Sequence, residues 1–259
     1  MVNFKPKDSY SFEDLVEIMR LLRSENGCPW DREQTHESIR RNFIEEAYEA
    51  VEAIDKKDDA NLCEELGDVL LQVVFHARIA EEDSRFDIGD VADGICKKLV
   101  LRHPHIFGDV SANTSEEVLR NWDEIKKVEK NQRSVTQAMR ELPSCLPALI
   151  YADKLQSKAK KCGFDWPEVS GALDKLSEET EELRAAVEAG TNVEEELGDV
   201  LFSAVNVARF AHLDPEEALS KASQKFLKRF AYMEEHAEKP LSAMDLEEMD
   251  RLWNEAKTK

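Results

Sequence analysis

The chain has 259 residues, of which 42% are hydrophobic and 35% are charged, and its formal net charge at pH 7 is −20. This charge argues against direct nucleic-acid binding, because phosphate backbones are held by clustered Lys and Arg side chains. No apolar run reaches the roughly 18 residues that indicate a membrane span, and the polar N-terminus and five scattered cysteines predict a cytoplasmic protein with reduced thiols and no zinc site.

The composition also predicts the fold class. Only 9 Gly and 8 Pro interrupt a sequence rich in Ala, Leu, Glu and Lys, and no strongly alternating strand run or hairpin signal is present. An all-α fold is therefore expected. In the first half we predict helices at 11–25, 37–56, 59–82, 88–101 and 115–130, with loops at 27–31 and at His103-Pro104-His105.

The second half is predicted to repeat this order. Its helices are expected at 148–161, 168–189, 193–212, 215–236 and 243–257, with a loop at 163–167. Residues 195–211 match residues 64–80 at 11 of 17 positions, and similar acidic, basic and Trp-containing blocks follow in the same order. The matched blocks indicate an internal duplication. We predict an N-terminal domain at 1–130, a connector at 131–147 and a C-terminal domain at 148–259.

Each half contains two acidic motifs on neighbouring helices. Glu-Glu-x-x-Glu occupies 45–49 and 178–182, and Glu-x-x-Asp occupies 65–68 and 196–199. Helical spacing places the carboxylates on one stripe beside Leu197 and Leu201, which predicts a polar lining inside a bundle. A solvated charged face is the ordinary interpretation of one such motif, but its repetition favours a site for Mg²⁺ and a nucleoside triphosphate. A di-iron site is excluded because neither Glu65 nor Glu196 has His three residues on.

Basic and aromatic residues follow the acidic helices in both halves. Lys98 with Arg102, and Lys225 with Arg229, each lie one helical turn apart, where they suit either surface salt bridges or phosphate contacts. Trp122 and Trp253 suit either helix packing or a wall for a nucleobase or ribose. The sequence alone leaves both alternatives open.

These motifs resemble those of the all-α nucleotide pyrophosphohydrolases. Asn26-Gly27-Cys28-Pro29-Trp30-Asp31, the His-Pro-His-Ile-Phe segment and the two-copy layout narrow the resemblance to full-length MazG proteins, from about residue 12 to 257. The resemblance implies hydrolysis of nucleoside triphosphates, including deoxynucleotides, between the α and β phosphates. It also implies a Mg²⁺ cofactor, for which Mn²⁺ can substitute, and a homodimer with four-helix cores built from acidic hairpins.

The same resemblance assigns roles to individual residues. The metal ligands it implies are Glu46, Glu49, Glu65 and Asp68 in the first copy, and Glu179, Glu182, Glu196 and Asp199 in the second. Glu45 and Glu178 are expected to orient or deprotonate water. The expected nucleotide contacts are Lys98, Arg102, Trp122, Lys126, Lys175, Glu195, Lys225, Arg229, Trp253 and Lys257. There are two alternative hypotheses: a pyrophosphatase of narrower specificity, for dUTP or dCTP, and a regulatory nucleotide-binding module without turnover. In the family the C-terminal copy is often the active one.

Overall fold

A computed structural model describes residues 4–112, 114–129 and 134–259, and every regular element within these residues is a helix. The chain divides into two compact units, Met1–Glu129 and Lys130–Lys259. The predicted all-α, two-part organisation is therefore confirmed, whereas the bounds given above for the domains and the connector stay a prediction. None of the helices in the described residues is long and apolar enough to cross a membrane.

The first unit is built around a helical hairpin. Its helices are α1 (Phe12–Leu22), α2 (Pro29–Glu33), α3 (Arg40–Lys56), α4 (Asp59–Glu82), α5 (Ile88–Arg102), α6 (Pro104–Phe107) and α7 (Ser115–Glu129). Helix α3 is followed by Lys57, whose φ of 57° lies in the left-handed region and reverses the chain. Asp58 then caps α4, because its side chain accepts a hydrogen bond from the Asn61 backbone N–H. The two acidic helices consequently run antiparallel and pack along their length.

The second unit repeats this hairpin. Its helices are α8 (Val135–Arg140), α9 (Ala148–Lys161), α10 (Val169–Ala189), α11 (Val193–Phe210), α12 (Pro215–His236) and α13 (Leu246–Ala256). Gly190 ends α10 at a φ of 70°, a conformation that a residue without Cβ adopts at little cost. Helix α9 packs on α11 and α12, and α13 packs on α12. The acidic helices α10 and α11 again form a packed antiparallel pair.

Several short elements differ from the sequence predictions. Residues 29–33 and 104–107 form one-turn helices where loops were predicted, because in both a proline at the first position has φ already set for a helix. Helix α8 lies in the predicted connector. The last helix begins at Leu246 and not at residue 243, since a capping box between Asp245 and Glu248 fixes its start.

The two units bury different kinds of side chain. The first has a compact apolar cluster, with members drawn from two helices and the loop before α3: Met19, Ile39, Val74, Phe75 and Ile79. In the second unit the buried apolar residues are mostly small, and they share the interior with four polar side chains: Gln156, Glu179, Ser203 and Asn206.

Candidate metal and nucleotide site

In the first unit the hairpin brings carboxylates of α3 and α4 together. Oxygen atoms of Glu46, Glu49 and Glu65 all lie within 4.8 Å of one another. Asp68 is not a member of this group of three, but its charge acts on it. Burial, together with the neighbouring carboxylates of Asp68, Glu49 and Glu65, raises the pKa of Glu46. Burial and the charges of Glu49 and Asp68 likewise raise the pKa of Glu65.

The second unit forms a related group with different membership. Oxygen atoms of Glu179, Glu196 and Asp199 lie within 4.8 Å of one another, and Glu179 is only 6% exposed. The burial of Glu179 agrees with the predicted polar lining inside the bundle. Glu182 lies outside the group of three, although burial and the adjacent Glu179 raise its pKa. Three of the four predicted ligands thus converge in each unit, and the full ligand sets remain predictions.

Both groups have the chemistry of a divalent-cation site. Carboxylates held this close repel one another, and the raised pKa values of Glu46, Glu65 and Glu182 report that repulsion and their partial burial. A hard cation such as Mg²⁺ binds oxygen ligands and relieves this repulsion. The donor set therefore fits a divalent cation.

The second group differs from the first in having an internal cation. The Lys175 ammonium lies 2.8 Å from a Glu178 oxygen and 2.6 Å from a Glu179 oxygen, and these contacts raise the pKa of Lys175 above its usual range. In the repeat, Asn42 stands at the position of Lys175. Lys175 was predicted to contact the nucleotide, and it lies beside the carboxylates that the phosphates are expected to approach.

The residues predicted to act on water lie at the margin of these groups. Glu45 is exposed and forms an ion pair with Arg41 at 2.7 Å, while Glu178 is exposed and paired with Lys175. Neither belongs to the clusters of converging carboxylates. Glu195, predicted as a nucleotide contact, is exposed on the first turn of α11. The catalytic roles of these residues stay predictions.

The basic and aromatic residues of the second unit lie close together on α12 and α13. The Arg229 guanidinium lies 5.5 Å from the centroid of the Trp253 ring, and the Phe226 ring lies 5.2 Å from it. Lys225 is exposed, and exposed Lys257 donates a hydrogen bond to Asn254 at 2.8 Å. Packing is therefore one role of Trp253, and it brings Arg229 beside the ring.

The equivalent residues of the first unit are engaged differently. Arg102 forms an ion pair with Glu129 at 2.8 Å, which is the salt-bridge alternative for this position. Trp122 packs edge-on against His103 at a centroid distance of 4.9 Å. Lys98 is exposed, and the side chain of Lys126 lies outside the described residues.

The prediction of an interior apolar seam beside the carboxylates is wrong for a single chain. Leu197 and Leu201 were expected to form an interior seam beside the carboxylates, yet they are 47% and 48% exposed. Leu66 and Leu70 of the first unit are exposed in the same way. Only one side of each acidic hairpin is covered by helices of its own unit, so the polar stripe lies at the boundary between a packed face and an open apolar face.

The sequence interpretation also missed a buried ion pair. The Arg209 guanidinium donates hydrogen bonds to both carboxylate oxygens of Asp165, and both side chains are largely buried. These hydrogen bonds hold the pKa of Asp165 below its usual range. A signal existed, because Arg209 is one of the identities in the repeat, matching Arg78, and Asp165 lies in a short loop beside Trp166.

Comparison with known proteins agrees with this arrangement. The sequence model of the MazG nucleotide pyrophosphohydrolase domain matches the chain twice, at residues 34–107 and 168–233. The nucleoside triphosphate pyrophosphohydrolase/pyrophosphatase MazG of Thermotoga maritima is 47% identical over 95% of both chains. The nucleoside triphosphate pyrophosphohydrolase of Escherichia coli K12 is 43% identical over 94% of this chain and 95% of its own length. The protein YabN of Bacillus subtilis is 50% identical over 96% of this chain, which corresponds to 52% of YabN.

Proposed function

Because the chain belongs to the MazG nucleotide pyrophosphohydrolase family, we propose that it hydrolyses nucleoside triphosphates, including deoxynucleotides, to a monophosphate and pyrophosphate, with Mg²⁺ as cofactor. The observation that carries the proposal is the convergence of Glu179, Glu196 and Asp199 from two helices. Three carboxylates this close repel one another when no cation is bound. They suit a divalent cation that also binds phosphate oxygens. The second unit is the proposed site of turnover.

Different side chains of the second unit have different proposed roles in the hydrolysis of the triphosphate. Glu179, Glu196 and Asp199, assisted by Glu182, would hold the cation. When bound, Mg²⁺ supplies charge neutralisation at the phosphates and makes the α-phosphorus more electrophilic. Because it is exposed and outside the group of three, Glu178 is free to orient a water molecule, provided that Lys175 moves from it to the phosphates.

The basic residues on α12 are suited to the leaving group. Lys225 and Arg229 lie one helical turn apart, and charge-assisted hydrogen bonds from them would stabilise the negative charge that develops on pyrophosphate. Lys225 is exposed and therefore accessible to a phosphate. Arg229 lies over the Trp253 ring, which limits the directions in which its guanidinium can point.

The proposal includes a homodimer. Exposed apolar side chains run along both acidic hairpins, including Leu66 and Leu70 in the first unit and Leu197 and Leu201 in the second. Two hairpins that bury such faces against each other make a four-helix core. We expect light scattering to give twice the 29.6 kDa chain mass, and Leu201→Glu to weaken the association.

The products of the reaction test the proposed activity. The purified chain is incubated with a panel of ribo- and deoxynucleoside triphosphates, with Mg²⁺, with Mn²⁺ and with a chelator. Pyrophosphate, orthophosphate and the nucleotide product are measured separately. We expect equal amounts of monophosphate and pyrophosphate, formed only when a divalent cation is present.

A variant with a side chain of the same size tests whether the activity depends on the carboxylates. Glu196→Gln keeps the size of the side chain and removes its charge, so pyrophosphate release should fall by about 100-fold or more. Orthophosphate and a nucleoside diphosphate as products would contradict the proposal. Activity confined to dUTP or dCTP would support hydrolysis between the α and β phosphates but would replace the proposed broad specificity with that of a dUTP or dCTP pyrophosphatase. Nucleotide binding without turnover at any cation would favour a regulatory module.

A further inference from the structure

The first unit has a pocket on a different side of its acidic hairpin from the apolar cluster around Phe75. Its volume is about 440 Å³, within the range of about 300–1,000 Å³ that is typical of small-ligand sites. Helices α3, α4 and α5 and the loop before α5 line it, and six of the eight lining residues are apolar. The other two are Arg40 and His76, so the pocket combines an apolar wall with two polar side chains.

The repeat shows that the hairpin itself does not require these two polar residues. Arg40 corresponds to Leu173 in the second unit, and His76 corresponds to Val207. The same pair of antiparallel helices forms with apolar side chains at both positions. The arginine and the histidine therefore distinguish the pocket of the first unit from the equivalent face of the second.

A chain of hydrogen bonds determines which nitrogen of His76 carries its proton. The Arg85 guanidinium, which can only donate, lies 2.8 Å from Nε2 of His36, so this nitrogen accepts. Neutral His36 then has its proton on Nδ1, which donates to Nδ1 of His76 at 2.7 Å. The His76 proton consequently lies on Nε2, which makes no hydrogen bond to any described residue. A side chain that lines the pocket thus has one N–H donor without a partner in this part of the chain.

The charges at the pocket leave a single positive group. Burial and the neighbouring His36 lower the pKa of His76, so its imidazole is neutral at pH 7. Arg85 is paired with Asp83 at 3.0 Å. Arg40 lines the pocket, is exposed, and forms no ion pair within residues 4–112, 114–129 and 134–259. Its guanidinium is therefore available to an anion from outside the chain.

These features define the chemistry of a ligand that would fit. A carboxylate has one negative charge, which Arg40 can balance, and its oxygens can accept from both the guanidinium and the His76 Nε2–H. A doubly charged phosphate would keep one charge uncompensated beside apolar walls, which is costly. The rings of Phe43 and Phe86 suit an apolar ring or chain attached to the carboxylate.

We propose that the first unit binds a small monocarboxylate with an apolar ring or chain in this pocket. The carboxylate lies at Arg40 and the His76 Nε2–H, and the apolar part lies against Phe43 and Phe86. This binding uses neither the acidic groups nor a triphosphate, so it is a function separate from the proposed hydrolysis. Because the ligand contacts α3, α4 and α5 together, it should stabilise the folded first unit by mass action.

Calorimetry with hydrocinnamate and hydrocinnamamide tests the proposed ligand class. The two compounds have the same phenylpropanoyl body, and only the first is charged at neutral pH. We expect the full-length wild type to bind hydrocinnamate roughly tenfold more tightly or better, because charge-assisted hydrogen bonds are stronger than neutral ones. Equal affinity for the two compounds, or no saturable binding of hydrocinnamate, would overturn the proposal.

Three variants test the proposed residues. Arg40→Leu and His76→Val copy Leu173 and Val207 of the repeat, and circular dichroism verifies that they fold. We expect Arg40→Leu to weaken hydrocinnamate binding by roughly tenfold and His76→Val by roughly threefold or more, with little change for the amide. Arg41→Leu removes the same charge one residue away, where it is paired with Glu45 and lies outside the pocket. It should keep the wild-type affinity; equal losses in Arg40→Leu and Arg41→Leu would contradict the proposal.

A second copy of the chain is the alternative occupant, because exposed Ile44 and Val91 at the pocket could also contact another protein surface. Light scattering on the same samples distinguishes the two. Self-association that Arg40→Leu and His76→Val weaken, together with no binding of hydrocinnamate to the wild type, would replace the ligand by a contact between copies and overturn the proposal. Binding of hydrocinnamate that leaves the measured mass unchanged supports it.

Discussion

The two units carry the same acidic hairpin, but they differ two helical turns after its last carboxylate. Seven residues beyond Asp68, the first unit has Phe75 in a compact apolar cluster; seven residues beyond Asp199, the second has Asn206 beside a cavity of about 510 Å³. The duplicated carboxylates alone therefore do not make two equivalent sites. The proposed division between a packed unit and a catalytic one rests on this contrast in the surroundings of the carboxylates.

A similar contrast holds for the arginines that fix the loops. In the first unit Arg23, which follows α1 directly, pairs with Glu82 at 2.8 Å and donates to backbone carbonyls of the segment after it, including that of Gln34 at 3.2 Å. In the second, Arg209 of α11 pairs with Asp165 of the loop itself. The first arrangement fixes a loop over a filled core, while the second fixes a loop that forms the wall of a cavity.

The largest expected effect on stability comes from the filled core. Phe75→Ala removes a ring that is 4% exposed, so we expect it to destabilise the first unit by about 3–5 kcal/mol. Hydrogen exchange resolved by peptide can assign this loss to one unit. Val74→Ala and Val205→Ala, at equally buried matching positions, should each cost about 2 kcal/mol in their own unit. A loss below that of Val74→Ala would show that Phe75 is not tightly packed.

The next effect comes from the ion pair at the cavity. Because Arg209 lowers the pKa of Asp165 in the folded state, the pair stabilises the fold above the pKa of the unfolded carboxyl, about 3.9, and this contribution is lost as pH falls through the folded pKa. Asp165→Asn should cost about 1–3 kcal/mol at neutral pH. The difference in urea unfolding between the wild type and the variant should narrow as pH falls below about 3.9; a constant difference would contradict the assignment.

The smallest effect concerns the internal cation of the second unit. Lys175→Met removes the positive charge beside Glu178 and Glu179, so Mg²⁺ should bind the free protein roughly severalfold more tightly. Its loss should also raise the KM for the nucleotide, because one phosphate contact disappears. Calorimetry and steady-state kinetics measure the two changes separately. A rise in KM without tighter Mg²⁺ binding would mean that Lys175 does not compete with the cation.

Much of the fold follows from local signals in the sequence. Apolar periodicity and capping residues such as Asp58 and Asp245 define the long helices to within a few residues. The repeat predicts two hairpins and the neighbouring carboxylates on them. The one-turn helices were missed because a single turn leaves no periodic pattern, although Pro29 and Pro104 marked both starts.

The surroundings of the site depend on tertiary packing, so less of them could be predicted from the sequence. Asn206 follows the carboxylates at helical spacing, and the sequence does not show that it lines a cavity together with Leu155, Gln156 and Ala159 of α9. Leu197 and Leu201 looked like core residues, because apolar periodicity does not distinguish packing within a unit from packing against another chain. The membership of each carboxylate group was also inaccessible, as it depends on side-chain directions across the hairpin.

The most direct measurement compares Asp199→Ala with Asp68→Ala in the full chain, with pyrophosphate release at saturating Mg²⁺ as the readout. The proposed division of the two units predicts a loss of about 100-fold or more for Asp199→Ala, because a proposed metal ligand disappears. For Asp68→Ala it predicts roughly half of the wild-type rate or more, since that carboxylate lies in the packed unit. Equal losses in the two variants, or a larger loss in Asp68→Ala, would contradict the claim that the second unit is the catalytic one.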